Sequence, residues 1–167
     1  MRHFLFVLTV SIIWFSLTRP LSGLPTGSAH SPLITDRSKH LVIASGICPQ
    51  PRNTKQAPSK YKQKINPLRA TTQNIEKGKL LYQVEAKPTA CKMCHGIRGN
   101  GNGLLARGLE PAPRNFTCKE TMEAISEGQL FWIIKKGSKG TAMPSHKFTL
   151  SDRDIWQIIY YLKSFYL

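Results

Sequence analysis

The 167-residue sequence predicts an all-α fold confined to its last 95 residues. Three observations lead there. Three segments beyond residue 72 combine apolar residues at helical spacing with capping signals at their starts. No stretch alternates apolar and polar residues as a half-buried strand would. Residues 20–72 hold seven of the eleven prolines, many Ser and Lys, and one apolar patch at 41–47 that is too short to build a core.

The first helix is expected from about Ile75 to Val84, with Asn74 as its N-cap. Glu76 falls in the first turn, where the helix dipole favours a negative charge. Ile75, Gly78 and Tyr82 share one face. Glycine inside a helix costs about 1 kcal/mol relative to alanine, and that cost at Gly78 suggests another backbone passing close by. The second helix opens on Ser126-Glu127-Gly128-Gln129, which reads as a capping box, with Ile125 and Leu130 placed for a hydrophobic staple. Leu130, Phe131, Ile133 and Ile134 supply its buried face; Lys135 and Lys136 sit at the negative end of the dipole before Gly137 stops it. The third opens on Ser151-Asp152-Arg153-Asp154 and continues through Ile155, Ile158, Ile159 and Leu162, with Trp156, Tyr160 and Tyr161 widening the apolar band.

Between the first two helices stands Cys91-Lys92-Met93-Cys94-His95. Cys-x-x-Cys-His is the attachment pattern for a c-type haem. Residues three apart lie on one face of a helical turn, so both thiols can reach the two vinyl groups of one porphyrin. His95 follows directly and can ligate the iron through an imidazole nitrogen. A zinc site would need a second ligand pair at similar spacing, and Cys48, Cys118, His146 and the N-terminal histidines form none. A thioredoxin-like redox pair would need a βαβ context. The run Gly96-Ile97-Arg98-Gly99-Asn100-Gly101-Asn102-Gly103 matches no phosphate-binding loop; its glycines are expected to let the chain turn around the haem edge.

The N-terminal part reads differently. Met1-Arg2-His3 precedes about fourteen mostly apolar residues from Phe4 to Leu17, the length of a secretory signal rather than of a spanning helix. Residues 1–29 are therefore read as a signal peptide or N-terminal anchor, and 30–72 as a basic Pro/Ser/Lys-rich linker expected to be disordered. Export agrees with the haem motif, because bacterial haem attachment takes place outside the cytoplasmic membrane. The net charge is +15; residues 1–72 carry ten Lys and Arg against one acid. For an exported chain this points away from nucleic acid and toward acidic redox-partner proteins, or toward a membrane tether or anionic lipid contact through the N-terminal segment. Cys48 and Cys118 are left over; they could pair outside the cytoplasm, the alternative for Cys118 being a small buried residue.

Residues 73–167 resemble a class I c-type cytochrome. The resemblance rests on the helix with Gly78 and Tyr82, Cys91-Lys92-Met93-Cys94-His95, the glycine-rich loop leading to Pro111-Ala112-Pro113, then Gly140-Thr141-Ala142-Met143-Pro144, and an aromatic C-terminal helix. It implies a small cytochrome c fold whose N- and C-terminal helices cross around one covalently bound haem, with Gly78 admitting close approach and Tyr82 near Ile158 and Tyr161. It also implies a sixth iron ligand, which maps onto Met143. Met143 lies 48 residues past His95, before a stiffening proline. Met93 sits between the cysteines and cannot reach the opposite haem face, Met122 reads as core, and His146 is the competing ligand, in a bis-histidine site. The family further implies a proline carbonyl on the second imidazole nitrogen of His95, here from Pro111 or Pro113. Arg114 and Trp132 are candidates for the haem propionates, with a surface arginine and a core tryptophan as the plainer alternative.

The resulting expectation is a monohaem, one-electron carrier in the periplasm and not an enzyme. The rivals are a haem-c domain with an open distal site, serving as a peroxidase or gas sensor, and a zinc-binding structural protein.

Overall fold

The structure, a computed structural model, describes residues 46–50 and 52–167, all within one compact unit. The signal or anchor read at 1–29 lies outside the described residues. Six α-helices occur among the described residues: α1 (Ser59–Lys62), α2 (Thr72–Leu80), α3 (Lys92–His95), α4 (Lys119–Glu123), α5 (Glu127–Lys136) and α6 (Asp152–Lys163). A π-helical turn, Leu81–Glu85, continues α2. No strand occurs among the described residues, so the all-α expectation holds for them.

The start of α2 differs from the sequence reading. Thr71 is its cap, its hydroxyl accepting from the Asn74 amide, and the helix begins at Thr72. Asn74 is drawn into tertiary bonds instead. Its amide group donates to the Arg69 carbonyl at 2.9 Å, and its side-chain oxygen accepts from Gln157 at 3.0 Å. The expected box on α5 is half made. Ser126 accepts from the Gln129 amide, but the Gln129 side chain turns away to accept from the Ala57 amide at 2.7 Å and donate to the Lys55 carbonyl. On α6 the reciprocal box between Ser151 and Asp154 is complete.

The core lies among α2, α5 and α6. Tyr82, Phe131, Met122, Ile155, Ile158, Ile159 and Leu162 are fully buried. Phe131 stacks on Trp156 with ring centroids 4.4 Å apart, tying α5 to α6. Where α2 meets α6, a Cβ added to Gly78 would collide with the Gln157 carbonyl, so the two backbones touch there. This is the close pass that the glycine suggested. Tyr82 packs edge-on against Tyr161 at 5.3 Å, as expected, and its hydroxyl donates to the Gly96 carbonyl at 2.7 Å.

The expectation of a disordered linker fails for its described part, residues 46–50 and 52–72. Cys48 is bonded to Cys118, 70 residues away. Ala57 is buried, and Tyr61 on α1 stacks against Phe131. The Asn66 side chain donates to the Trp156 carbonyl, its amide donates to Glu127, and the Tyr160 hydroxyl donates to the Leu68 carbonyl. Glu127 also pairs with Lys163 of α6 at 2.9 Å. This stretch is held by the disulfide and by backbone groups satisfied on a core that other residues supply.

Replacing Gly78 by alanine is expected to lower stability by about 1–3 kcal/mol, because overpacking meets backbone and outweighs the roughly 1 kcal/mol gain in helix propensity. Thermal or denaturant unfolding checks this. An unchanged midpoint would mean that α2 and α6 are not in backbone contact.

Candidate functional site

The Cys-x-x-Cys-His motif forms α3, a single turn too short to be stable alone. The following glycine-rich loop holds it. The amides of Leu105, Gly103 and Gly101 donate to the carbonyls of Met93, Cys94 and His95 at 2.7, 3.0 and 2.8 Å. Those are the carbonyls that a helix end leaves without partners. A Cβ on Gly103 would strike the Met93 carbonyl, and Gly101 takes φ +81° with the Pro113 carbonyl close by. The loop thus closes on the motif's own backbone, with Gly103 packed against the Met93 carbonyl.

The His95 Nδ1–H donates to the carbonyl of Arg114 at 3.0 Å. The sequence reading placed this acceptor on Pro111 or Pro113. The Pro113 carbonyl instead accepts from Gln50 at 3.0 Å, while Pro111 is exposed at the cavity wall. The bond fixes the tautomer, leaving the lone pair on Nε2. Burial pushes the His95 imidazole down to about 4, opposed by the bond to Arg114 and helped by the nearby Arg52 and Arg114 charges, so the ring is a neutral donor at physiological pH. Cys91 and Cys94 are free thiols. Burial pushes Cys91 up to about 12 and raises Cys94 as well.

Met143 is pinned to the end of α5. Its carbonyl accepts from the Ser138 amide at 3.1 Å, and its amide donates to the Thr141 hydroxyl at 3.1 Å. Gly137 admits the close pass, since a Cβ there would lie 2.8 Å from the Met143 carbonyl oxygen. Met143, Cys94 and His95 all line one largely apolar cavity of about 430 Å³, with Leu130 and Ile134 in its wall. A smaller neighbouring cavity of about 50 Å³ adds Cys91 and His146 to the same set. The larger volume lies in the range of about 300–1,000 Å³ usual for small-ligand and cofactor sites.

His146, the competing ligand, is buried and its Nδ1–H donates to the Lys87 carbonyl at 2.8 Å. That bond and the Thr149 hydroxyl's bond to the same carbonyl, also 2.8 Å, tie the Met143 loop to the segment preceding the motif. Met122 is core, as read. Arg114 lines the large cavity and donates to the Thr54 hydroxyl at 2.9 Å, but Trp132 lies outside its lining. Cys118 is paired, so the group of potential metal donors Cys48, Cys118 and Glu120 contains a disulfide rather than thiolates.

Residues 73–162 match the family model described as cytochrome c oxidase, cbb3-type, subunit III. The chain belongs to this family: it carries a class I c-type cytochrome domain. A chain of the Kuenenia stuttgartiensis reducing HAO-like protein complex is similar to it, with 30% identity and a TM-score of 0.52. The match covers 60% of this chain and 47% of that one, so the similarity spans about half of the solved chain. No curated protein matches the chain.

A c-type cytochrome domain implies haem c, and the residues present fit it. The cavity offers a neutral imidazole with Nε2 free, a thioether and two protonated thiols within apolar walls. Sequence reasoning missed Gln50, Arg52 and Thr54, which also line the cavity. No local pattern marks them: Arg52-Asn53-Thr54 sits in a stretch whose composition resembles a linker, and only the pairing of Cys48 hinted that the stretch is anchored.

Burial lowers the pKa of His146 below its ordinary 6.5, partly offset by its bond to Lys87. The unfolded chain therefore binds the extra proton first, and stability is expected to fall as pH drops through about 6.5. Denaturation midpoints at pH 7.5 and 5.5 check this, with the slope becoming shallower in His146→Gln. An identical slope in the variant would remove the role of His146.

Proposed function

We propose that this chain is a monohaem, one-electron carrier exported to the periplasm. The observation that carries the reading is that Cys94, His95 and Met143, separated by up to 49 residues, line one cavity with Cys91 beside it. Cys91 and Cys94 would hold the haem through thioether bonds to its vinyl groups. His95, oriented by the Arg114 carbonyl, and Met143, positioned by Ser138 and Thr141, would ligate its iron. When bound, haem c supplies an iron that alternates between ferric and ferrous states. The chain's contribution is to keep the His95 imidazole and the Met143 thioether in place, present the apolar side chains of Leu130 and Ile134 to the cavity, and so limit reorganisation on transfer. A thioether ligand favours the ferrous state and raises the potential. Two saturating ligands also argue for a carrier rather than an enzyme or gas sensor.

Acidic redox proteins are the partners that the charge favours. Lys135 is withdrawn from this role, because its ammonium pairs with Asp152. Lys136 and Lys139 remain exposed beside the Met143 loop, and Lys92 lies half-buried within the motif. The likeness to a chain of a reducing HAO-like protein complex supports a setting within a multi-protein complex. The basic N-terminal segment fits a membrane tether or anionic lipid contact, and nucleic acid has no part in this reading.

Expression with haem-maturation machinery should give a Soret band and the weak far-red band of sulfur-ligated ferric haem. Met143→Ala should keep the first, lose the second, lower the potential and allow rapid carbon monoxide binding to the reduced protein. Persistence of the far-red band in that variant would remove Met143 as ligand. Rapid carbon monoxide binding to the native reduced protein would favour an open-site enzyme or sensor. Electron transfer to an acidic partner should slow as salt rises from about 0.01 to 0.15 M, where the screening length falls from about 30 to 8 Å. Rates indifferent to salt would exclude lysine steering.

A further inference from the structure

The cytochrome family model begins at residue 73, yet the wall of the large cavity does not. Gln50, Arg52, Asn53, Thr54 and Gln56 also line it. This strand of chain is fastened on both sides. Upstream, Cys48 is bonded to Cys118, and the Gln50 side chain donates to the Pro113 carbonyl at 3.0 Å while accepting from the Asn115 amide at 2.8 Å. Downstream, Gln129 grips the Lys55 carbonyl and the Ala57 amide. Between the fastenings, Thr54 accepts from the Arg114 guanidinium at 2.9 Å, so the extension and the loop after the motif meet at the cavity.

Two guanidiniums, Arg52 and Arg114, are thereby brought to one cavity, both half-buried. Among the described residues, no carboxylate forms an ion pair with either. Like charges gathered in a partly desolvated wall are costly unless an anion completes the set. The guanidinium fork matches a carboxylate, and Thr54 Oγ1 provides one more polar contact on the same wall.

We infer that Arg52, supplied by the extension, joins Arg114 and Thr54 in holding the propionate carboxylates of the haem. The inference rests on the cofactor reading above and deepens it. It makes residues 46–50 and 52–58 part of the cofactor site rather than a linker, and it gives Arg52 the propionate contact for which Trp132 was one candidate. Arg52 acts on the haem electrostatically: its charge keeps the propionates ionised and opposes the ferric state.

The test is the midpoint potential of the full-length, matured protein as a function of pH. Arg52→Gln should lower the potential and move the pH at which the potential bends upward by about 1–3 pH units, the usual effect of losing an adjacent opposite charge on a carboxyl group. Arg52→Lys should recover most of the potential. Arg114→Gln should move the bend in the same direction, and it reports independently if Arg52→Gln does not mature. A far-red sulfur–iron band retained in these variants shows that axial ligation is intact, so a general loosening of the fold is separated from loss of the charge. An unchanged pH profile in Arg52→Gln, or in Arg114→Gln, overturns the assignment while leaving the haem reading standing. A native protein with no Soret band after maturation overturns both.

Discussion

A four-residue helix has no stability of its own, yet it must present two thiols and an imidazole in a fixed relation. The structure solves this by bonding the three exposed carbonyls of α3, those of Met93, Cys94 and His95, to amides of the glycine-rich loop. Only glycine fits at 103, where the loop's backbone lies against the Met93 carbonyl. The rest of the site hangs from this clamp. The Phe116 amide reaches back to the Gly99 carbonyl, and its ring stacks on His95 at 4.5 Å. The Arg114 carbonyl accepts the hydrogen bond from the imidazole Nδ1–H in the same stretch.

The second constraint is the backbone contact between α2 and α6 at Gly78. It brings Tyr82 to the aromatic cluster of Phe116, Tyr161 and Phe165, and through its hydroxyl to the Gly96 carbonyl. The helix pair is thereby coupled to the residue that ends α3. On the opposite side, the end of α5 holds the Met143 loop, and His146 and Thr149 share the Lys87 carbonyl. His95 and Met143, from two distant parts of the chain, are each fixed by hydrogen bonds with a backbone group on at least one side, and such partners are hard to see in sequence.

The extension shows how a composition argument can be right about energy and wrong about structure. Residues 46–50 and 52–72 bury little apolar surface beyond Ala57, so they could not fold alone. Their order comes from a disulfide and from polar side chains of the domain, Gln129 and Glu127 above all, which accept their backbone amides. Gln129 illustrates the competition. A local capping box was available to it, but a buried amide at Ala57 without a partner would cost more than an exposed cap bond returns.

By itself the sequence determined what is local or periodic: the Cys-x-x-Cys-His chemistry, the helical class, the caps at Ser126 and Ser151, and a glycine at 78 that had to meet backbone. These follow from short-range geometry, in which spacing along the chain equals spacing on a helix face. Tertiary structure alone decided that Arg114 rather than a proline orients His95, that Asn74 serves Gln157 instead of a helix end, and that Arg52 and Thr54 reach the cavity. Each depends on which backbone groups and charges become neighbours once distant segments pack, and a one-dimensional pattern contains no distance between them.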